Sequence, residues 1–263
     1  MRPPRPPVAD WLAYLGELGY EEIYRQPALA ASAPGGGPPR PPAEASTPAP
    51  SEDSPAPVPV RSGPAAVIRD GVRAAELARL AERAAGCTAC PLAAGRQLVV
   101  FGSGPVDAGL MVVGEGPGAE EDRRGLPFVG RAGELLTRIL AAIGLSREEV
   151  YIANIVKCRP PGNREPEPSE VAACIGYLER QIELVRPALL VALGKTAAQT
   201  LLGASGSMAQ LRGPWYDFRG VPLKVTYHPA ALLRNPALKR PTWEDMQEVR
   251  DRLLRERPPE EKP

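Results

Sequence analysis

An α/β domain with a mostly parallel sheet is predicted for the bulk of this chain, on two observations. From Cys90 onward short apolar runs alternate with segments of helical periodicity, and loops carrying Gly, Pro and Asn follow the runs. Four runs read as strands: Gly109–Gly114, Val150–Ile155, Ala188–Leu193 and Pro222–Tyr227. Five segments read as helices: Val67–Ala85, Arg131–Ile143, Ser169–Val185, Lys195–Leu202 and Thr242–Arg257. The loops GEGPG, KCRPPGNREPEP and HPAALLRNP follow the first, second and fourth strands, and so collect polar residues at the carboxyl edge, where open α/β sheets bind ligands.

Ahead of this domain the composition changes. Fifteen of the 33 prolines fall within residues 1–60. Stretches rich in Pro, Ala, Gly and Ser bury too little apolar surface to offset the entropy of ordering, so residues 1–65 are expected to form a disordered Pro/Ala-rich extension. Within it Trp11, Leu12, Leu15, Leu18 and Ile23 have roughly helical spacing, which predicts a short amphipathic helix over residues 8–24. That helix is a candidate contact for a protein partner. Residues 66–257 are expected to form one globular domain, followed by a short tail at 258–263.

The chain has 263 residues and a net charge of +1, but residues 1–60 hold four basic and seven acidic groups, leaving +4 for the rest. Mild basicity is compatible with nucleic acid without demanding it. The sequence has neither an apolar run long enough to span a bilayer nor the apolar core of a signal peptide, so a cytoplasmic monomer with no membrane contact is expected.

Four cysteines in a reducing compartment point to metal ligation or free thiols rather than disulfides. Cys87 and Cys90 form a CxxC pair, Cys158 follows after 67 residues, and Cys174 after 15 more. Zinc and an iron-sulfur cluster both accept four thiolates, and spacing alone does not choose between them. The run Gly114-Glu115-Gly116-Pro117-Gly118 ends a strand but lacks both dinucleotide-binding and P-loop spacing. The acidic group Glu120, Glu121, Asp122 beside it would repel phosphate, yet a carboxylate there can orient water.

Phe128 is one of three phenylalanines and lies between glycines in a loop, where it serves either as core or as a stacking platform for a base. Asn154, inside the apolar run YIANIV, needs partners for its amide. Its carbonyl accepts and its NH2 donates, which complements the N3–H and O4 of uracil and mismatches cytosine; bonding to a loop backbone is the other reading. His228, the sole histidine, ends a strand, where it is either structural or a donor to an oxygen that gains charge.

Taken in order, CxxCPL, GEGPGAEEDRRGLPFVGRAGELL, YIANIVKCRPPGNREPEPSE, LLVALGKTA and TYHPAALLRNPALKRPTWEDMQ resemble the family-4, iron-sulfur uracil-DNA glycosylases, from about Arg83 to Arg252. The resemblance implies a three-layer α/β/α fold with a four-stranded, mostly parallel sheet. It implies a [4Fe-4S] cluster held by Cys87, Cys90, Cys158 and Cys174. The implied reaction is removal of uracil from single- or double-stranded DNA in base excision repair, leaving an abasic site. By the same resemblance Phe128 stacks on the extruded uracil, Asn154 reads its polar edge and His228 stands near O2. Glu115 and Gly116 lie beside the sugar and the attacking water, while Glu121 and Asn163 assist catalysis. The loop of Leu232, Leu233, Arg234, Asn235 and Pro236 is similar to the family's DNA-intercalating loop, and Arg234, Lys239 and Arg240 are placed for phosphates; a solvated basic loop is the alternative. Two rivals remain. A branch that bonds covalently to the abasic sugar uses a histidine on an inserted basic loop, which this chain lacks; the other rival is a catalytically idle iron-sulfur DNA-binding or polymerase-associated module.

Overall fold

The computed structural model describes residues 64–256, with side chains from residue 70 onward. The helix expected over 8–24, nearly all of the 1–65 extension and the 258–263 tail lie outside the described residues. The domain opens with α1 (Pro64–Ala85) and the short α2 (Leu92–Gly95). There follow β1 (Leu110–Gly114), α3 (Ala119–Arg124), α4 (Arg131–Ala142), β2 (Val150–Asn154), α5 (Pro168–Val185) and β3 (Leu189–Leu193). The chain closes with α6 (Lys195–Leu202), α7 (Met208–Leu211), β4 (Trp215–Phe218), β5 (Val221–Thr226), α8 (Pro229–Arg234) and α9 (Lys239–Glu256).

The sheet order is β2-β1-β3-β5-β4, parallel except for β4. The class is the expected one, but the sheet has five strands rather than four. β4 forms an antiparallel edge paired with β5, and its residues are half-buried or exposed, so it lacks the continuous apolar run that marks the central strands.

Side-chain alternation along the central strands feeds two cores. Leu110, Val112, Val150, Ile152, Leu189 and Val191 pack with α4 and α9 on one face. Met111, Val113, Tyr151, Ala153, Leu190 and Ala192 pack with α5 and α6 on the other. This is the three-layer arrangement. On β5 the face toward α9 carries Lys224 and Thr226 instead, both buried and met by Asp245 of α9. β2 lies at the sheet edge, where its outer side is bridged by Ser103 through two hydrogen bonds with Ile152, at 2.9 and 2.7 Å. Arg73 of α1 donates to the carbonyls of Leu184 and Val185, which caps α5 and ties the N-terminal helix to the body. Among the described residues no helix is long and apolar enough to cross a membrane.

Candidate active site

Gly114 ends β1 directly opposite Asn154, the last residue of β2. A Cβ at position 114 would sit 2.5 Å from Asn154 Oδ1 and 2.6 Å from Cζ of Phe128, so only glycine lets the amide and the ring meet there. Asn154 is 1% exposed, and its Oδ1 has no hydrogen-bond partner among the described residues. A buried acceptor left unpaired costs about 1–3 kcal/mol. The fold therefore carries an acceptor that an incoming N–H donor would satisfy.

Phe128 is buried in a left-handed backbone conformation, with φ 52°. Such a conformation costs about 1–3 kcal/mol and needs its surroundings to enforce it. Three groups do so. Arg147 donates to the Phe128 carbonyl at 2.7 Å and also to that of Pro127. Glu121 Oε1 accepts from the N–H groups of Val129 and Gly130, both at 2.9 Å. Gly133 leaves room for the Phe128 carbonyl, which a Cβ there would meet at 1.9 Å. Glu121 thus holds the phenylalanine loop.

The Phe128 ring lies 5.5 Å from the His228 ring, centroid to centroid. His228 caps α8: its Nδ1 accepts from Ala230 N–H at 3.1 Å, with Pro229 at the first helical position. A neutral ring bonded this way carries its proton on Nε2. Burial, reinforced by the charge of Arg234 and opposed by Glu121, lowers the His228 pKa from 6.5 to about 4, so the neutral form prevails. Gly194, at the end of β3 with φ 89°, leaves the space that the His228 Cβ approaches.

Glu115 follows β1, and its Oε2 accepts from Thr196 Oγ1 at 2.6 Å. Burial raises its carboxyl above the ordinary range, Thr196 opposes that, Glu165 adds to it, and Lys195 opposes it more weakly. Gly116 packs closely on the loop after β2, where a Cβ would meet Val156 at 2.9 Å. Asn163 remains at the surface of that loop, with its Oδ1 accepting from Arg159 at 2.8 Å.

The segment after His228 is helical where a loop was expected, and that corrects one assignment. Leu232 is 2% exposed and belongs to the core on the α4 side, so it is not an external wedge, whereas Leu233 is 40% exposed. Arg234 and Arg240 are exposed, Arg240 pairing loosely with Glu244, and Lys239 is half-buried.

A second site lies at the ends of α1 and α5. Cys87, Cys90, Cys158 and Cys174 line one cavity, together with Ala84, Ala89, Ala93 and Ala173. Among the described residues no three His, Cys, Asp or Glu side chains are gathered to hold one metal ion. Arg96 donates to Cys158 Sγ, and the Lys157 N–H to Cys174 Sγ, both at 3.3 Å. Burial pushes both of these thiols up, and the two donors oppose it.

Arg147, Thr196 and Lys157 escaped the sequence reading. Arg147 lies 19 residues from the carbonyl it holds, and no local spacing signals such a contact. Thr196 had a weak signal, its place just after the third strand.

A model of the uracil DNA glycosylase superfamily matches residues 101–247. The chain is 47% identical over 181 residues to the type-4 uracil-DNA glycosylase of Thermotoga maritima, covering 67% of this chain and 94% of that protein. It is 45% identical over 172 residues to the type-4 enzyme of Pyrobaculum aerophilum (62% and 88% covered), and 43% identical over 183 residues to that of Saccharolobus solfataricus (66% and 85%).

Proposed function

We propose, from the premise that this chain belongs to the uracil-DNA glycosylase superfamily, a division of labour among the residues that ring Gly114. The chain is a uracil-DNA glycosylase, a hydrolase of the N-glycosidic bond. DNA is its substrate, and the target base must leave the stack before its glycosidic bond can be reached.

The observation that carries the pocket assignment is the unpaired, buried Asn154 Oδ1 beside the Phe128 ring. Uracil N3–H would satisfy that oxygen while O4 accepts from the Asn154 NH2, and Phe128 stacks on the base. Cytosine presents the opposite pattern and would leave the amide unpaired, which is how a hydrogen-bonding site rejects an analogue by about 10⁴–10⁵. As the glycosidic bond lengthens, charge accumulates on O2. Neutral His228 donates from Nε2 to that oxygen without itself having to lose a charge. Glu115, with one oxygen fixed by Thr196, orients the water that adds at C1′, and Gly116 keeps the loop close to the sugar. The set Glu115, Phe128, Asn154 and His228 contains no amine nucleophile, so the product is an abasic site in an uncut strand.

Glu121 acts through the Phe128 loop rather than on the substrate, and Asn163 contributes from the rim. Leu233 fills the vacated stack, flanked by Arg234, Lys239 and Arg240 on phosphates, which position without reading sequence. The four cysteines suit a [4Fe-4S] cluster: a polynuclear group takes its thiolates at separate corners, in keeping with thiols arrayed around a cavity, and the two N–H donors to sulfur suit thiolate ligands. When bound, the cluster supplies a cross-link between the α1–α2 turn, the loop after β2 and α5.

The test is incubation of the purified protein with uracil-containing single- and double-stranded oligonucleotides, followed by alkali. Alkali-dependent cleavage at uracil is expected. Its absence in a preparation with an intact cluster spectrum would sink this reading.

A further inference from the structure

Lys157 is 2% exposed, three residues beyond the end of the strand that carries Asn154, and its side chain has no part in the proposed reaction. Its Nζ donates to the backbone carbonyl of Asn154 at 2.8 Å and to Gln181 Oε1 at 2.6 Å. Gln181, on α5, is fully buried and fixed in turn, its Nε2 donating to Tyr151 Oη at 3.0 Å and to the Phe101 carbonyl at 2.9 Å. The Lys157 N–H donates to Cys174 Sγ, and the residue lines the cysteine cavity. One buried residue therefore joins the two places, its backbone N–H on Cys174 of the cysteine site and its side chain on the peptide of the residue whose amide is left unpaired.

A buried lysine is costly to keep, and an apolar residue of the same length would pack with less penalty. What the amine supplies, and an apolar group would not, is a pair of N–H donors aimed at Asn154 and Gln181. Either protonation form has both. A hydrogen bond on the Asn154 carbonyl fixes the peptide plane from which the amide projects, in the way an outer ligand orients an inner one.

We propose that Lys157 is a positioning residue: it transmits the geometry of the cysteine site to Asn154, so that assembly of the cysteine site sets the angle at which the amide meets the base. The inference rests on the pocket reading given above.

The test uses the full chain with its cysteine-bound chromophore, in Lys157→Met and in the double variant Lys157→Met/Gln181→Leu, which removes the partner left unpaired by the first change. Single-turnover excision from a uracil oligonucleotide gives the maximal rate and the half-saturating enzyme concentration; visible absorbance per chain and the thermal midpoint are read alongside. Asn154 contacts the base about equally before and during bond cleavage, so its misplacement should appear in binding rather than in chemistry. The half-saturating concentration is expected to rise about 10- to 30-fold in both variants, with the maximal rate changed less than about threefold and absorbance retained. If the single variant precipitates, the double variant carries the test by the same criteria. A half-saturating concentration within about twofold of wild type, or a loss that simply follows the loss of absorbance, overturns the proposal. Wild-type protein that has its chromophore but fails to release uracil overturns the glycosylase reading itself, and this inference with it.

Discussion

Two buried polar regions lie on the same face of one sheet, and they are built on opposite plans. On β5, Lys224 is 0% exposed, yet its amine donates to the Gly213 carbonyl at 2.5 Å and to Glu248 at 2.6 Å. Beside it Asp245 accepts from Thr226 at 2.7 Å and from Arg212 at 2.6 Å. Around these charges each polar group has its partner. On β2, Asn154 is equally buried and its Oδ1 has none. The first plan holds α9 to the sheet. The second leaves an acceptor unpaired at a cost to the fold, which in the proposed pocket a donor on the substrate would satisfy. Satisfaction of hydrogen bonds, more than burial or polarity, separates the structural region from the one proposed to read the base.

The sharpest way to break this contrast is to remove each region's key group and compare activity with stability. Asn154→Leu is expected to lower kcat/KM for uracil by about 10⁴-fold, while the thermal midpoint holds or rises, because an unpaired buried acceptor has gone. A large drop in midpoint would mean that the amide is structural after all. Asp245→Ala should do the reverse. It leaves Arg212 and Lys224 without their shared carboxylate and should cost about 3–5 kcal/mol in urea denaturation, with kcat of the folded protein within about twofold of wild type.

His228→Ala removes the donor proposed at O2 and should slow excision by about 10²–10³-fold. The wild-type pH dependence sharpens the same point. The folded His228 pKa is lowered to about 4 from 6.5, first by burial and then by Arg234. Between those values the unfolded chain binds the extra proton, so this residue's contribution to stability is full above 6.5 and is lost as pH falls toward 4. The lone imidazole should titrate near pH 4 by NMR, and kcat/KM should show no limb from it at 6.5. The smallest effect is expected from Thr196→Val. Its hydroxyl opposes the rise in the Glu115 pKa, so its loss should move the acid limb of kcat/KM to higher pH; an unmoved limb would detach Glu115 from the water.

The central strands were legible in the sequence because burial on both faces leaves an unbroken apolar signature in β1, β2 and β3. β4 was not, since Trp215–Phe218 is an edge whose pairing with β5 depends on a turn at Arg219 and Gly220. The helix α8 was hidden for a different reason. A histidine cap followed by Pro229 starts it, and a short helix between prolines reads as a loop. With that misreading went the burial of Leu232. Phe128 and Asn154 stood out in the sequence as residue types, and the structure brings them together at Gly114; the clamp of Arg147, Glu121 and Gly133 that holds the ring was not legible, because it closes only in three dimensions.

The amide proposed to read the base is mounted on β2, an outermost strand, and the segment at Ser103 closes that strand's free side. In a genome, legitimate cytosine vastly outnumbers uracil, so the quantity under selection is the false-positive rate, and with Asn154 as the proposed reader that rate would depend on how seldom a sheet margin frays. Loosening at Ser103 would let Asn154 wander before the core melts. Mistaken release of cytosine should therefore climb on warming ahead of any loss of uracil excision, which parallel assays of the two bases near the melting temperature would register. The bridge at Ser103 would then bear on fidelity through the strand whose free side it closes.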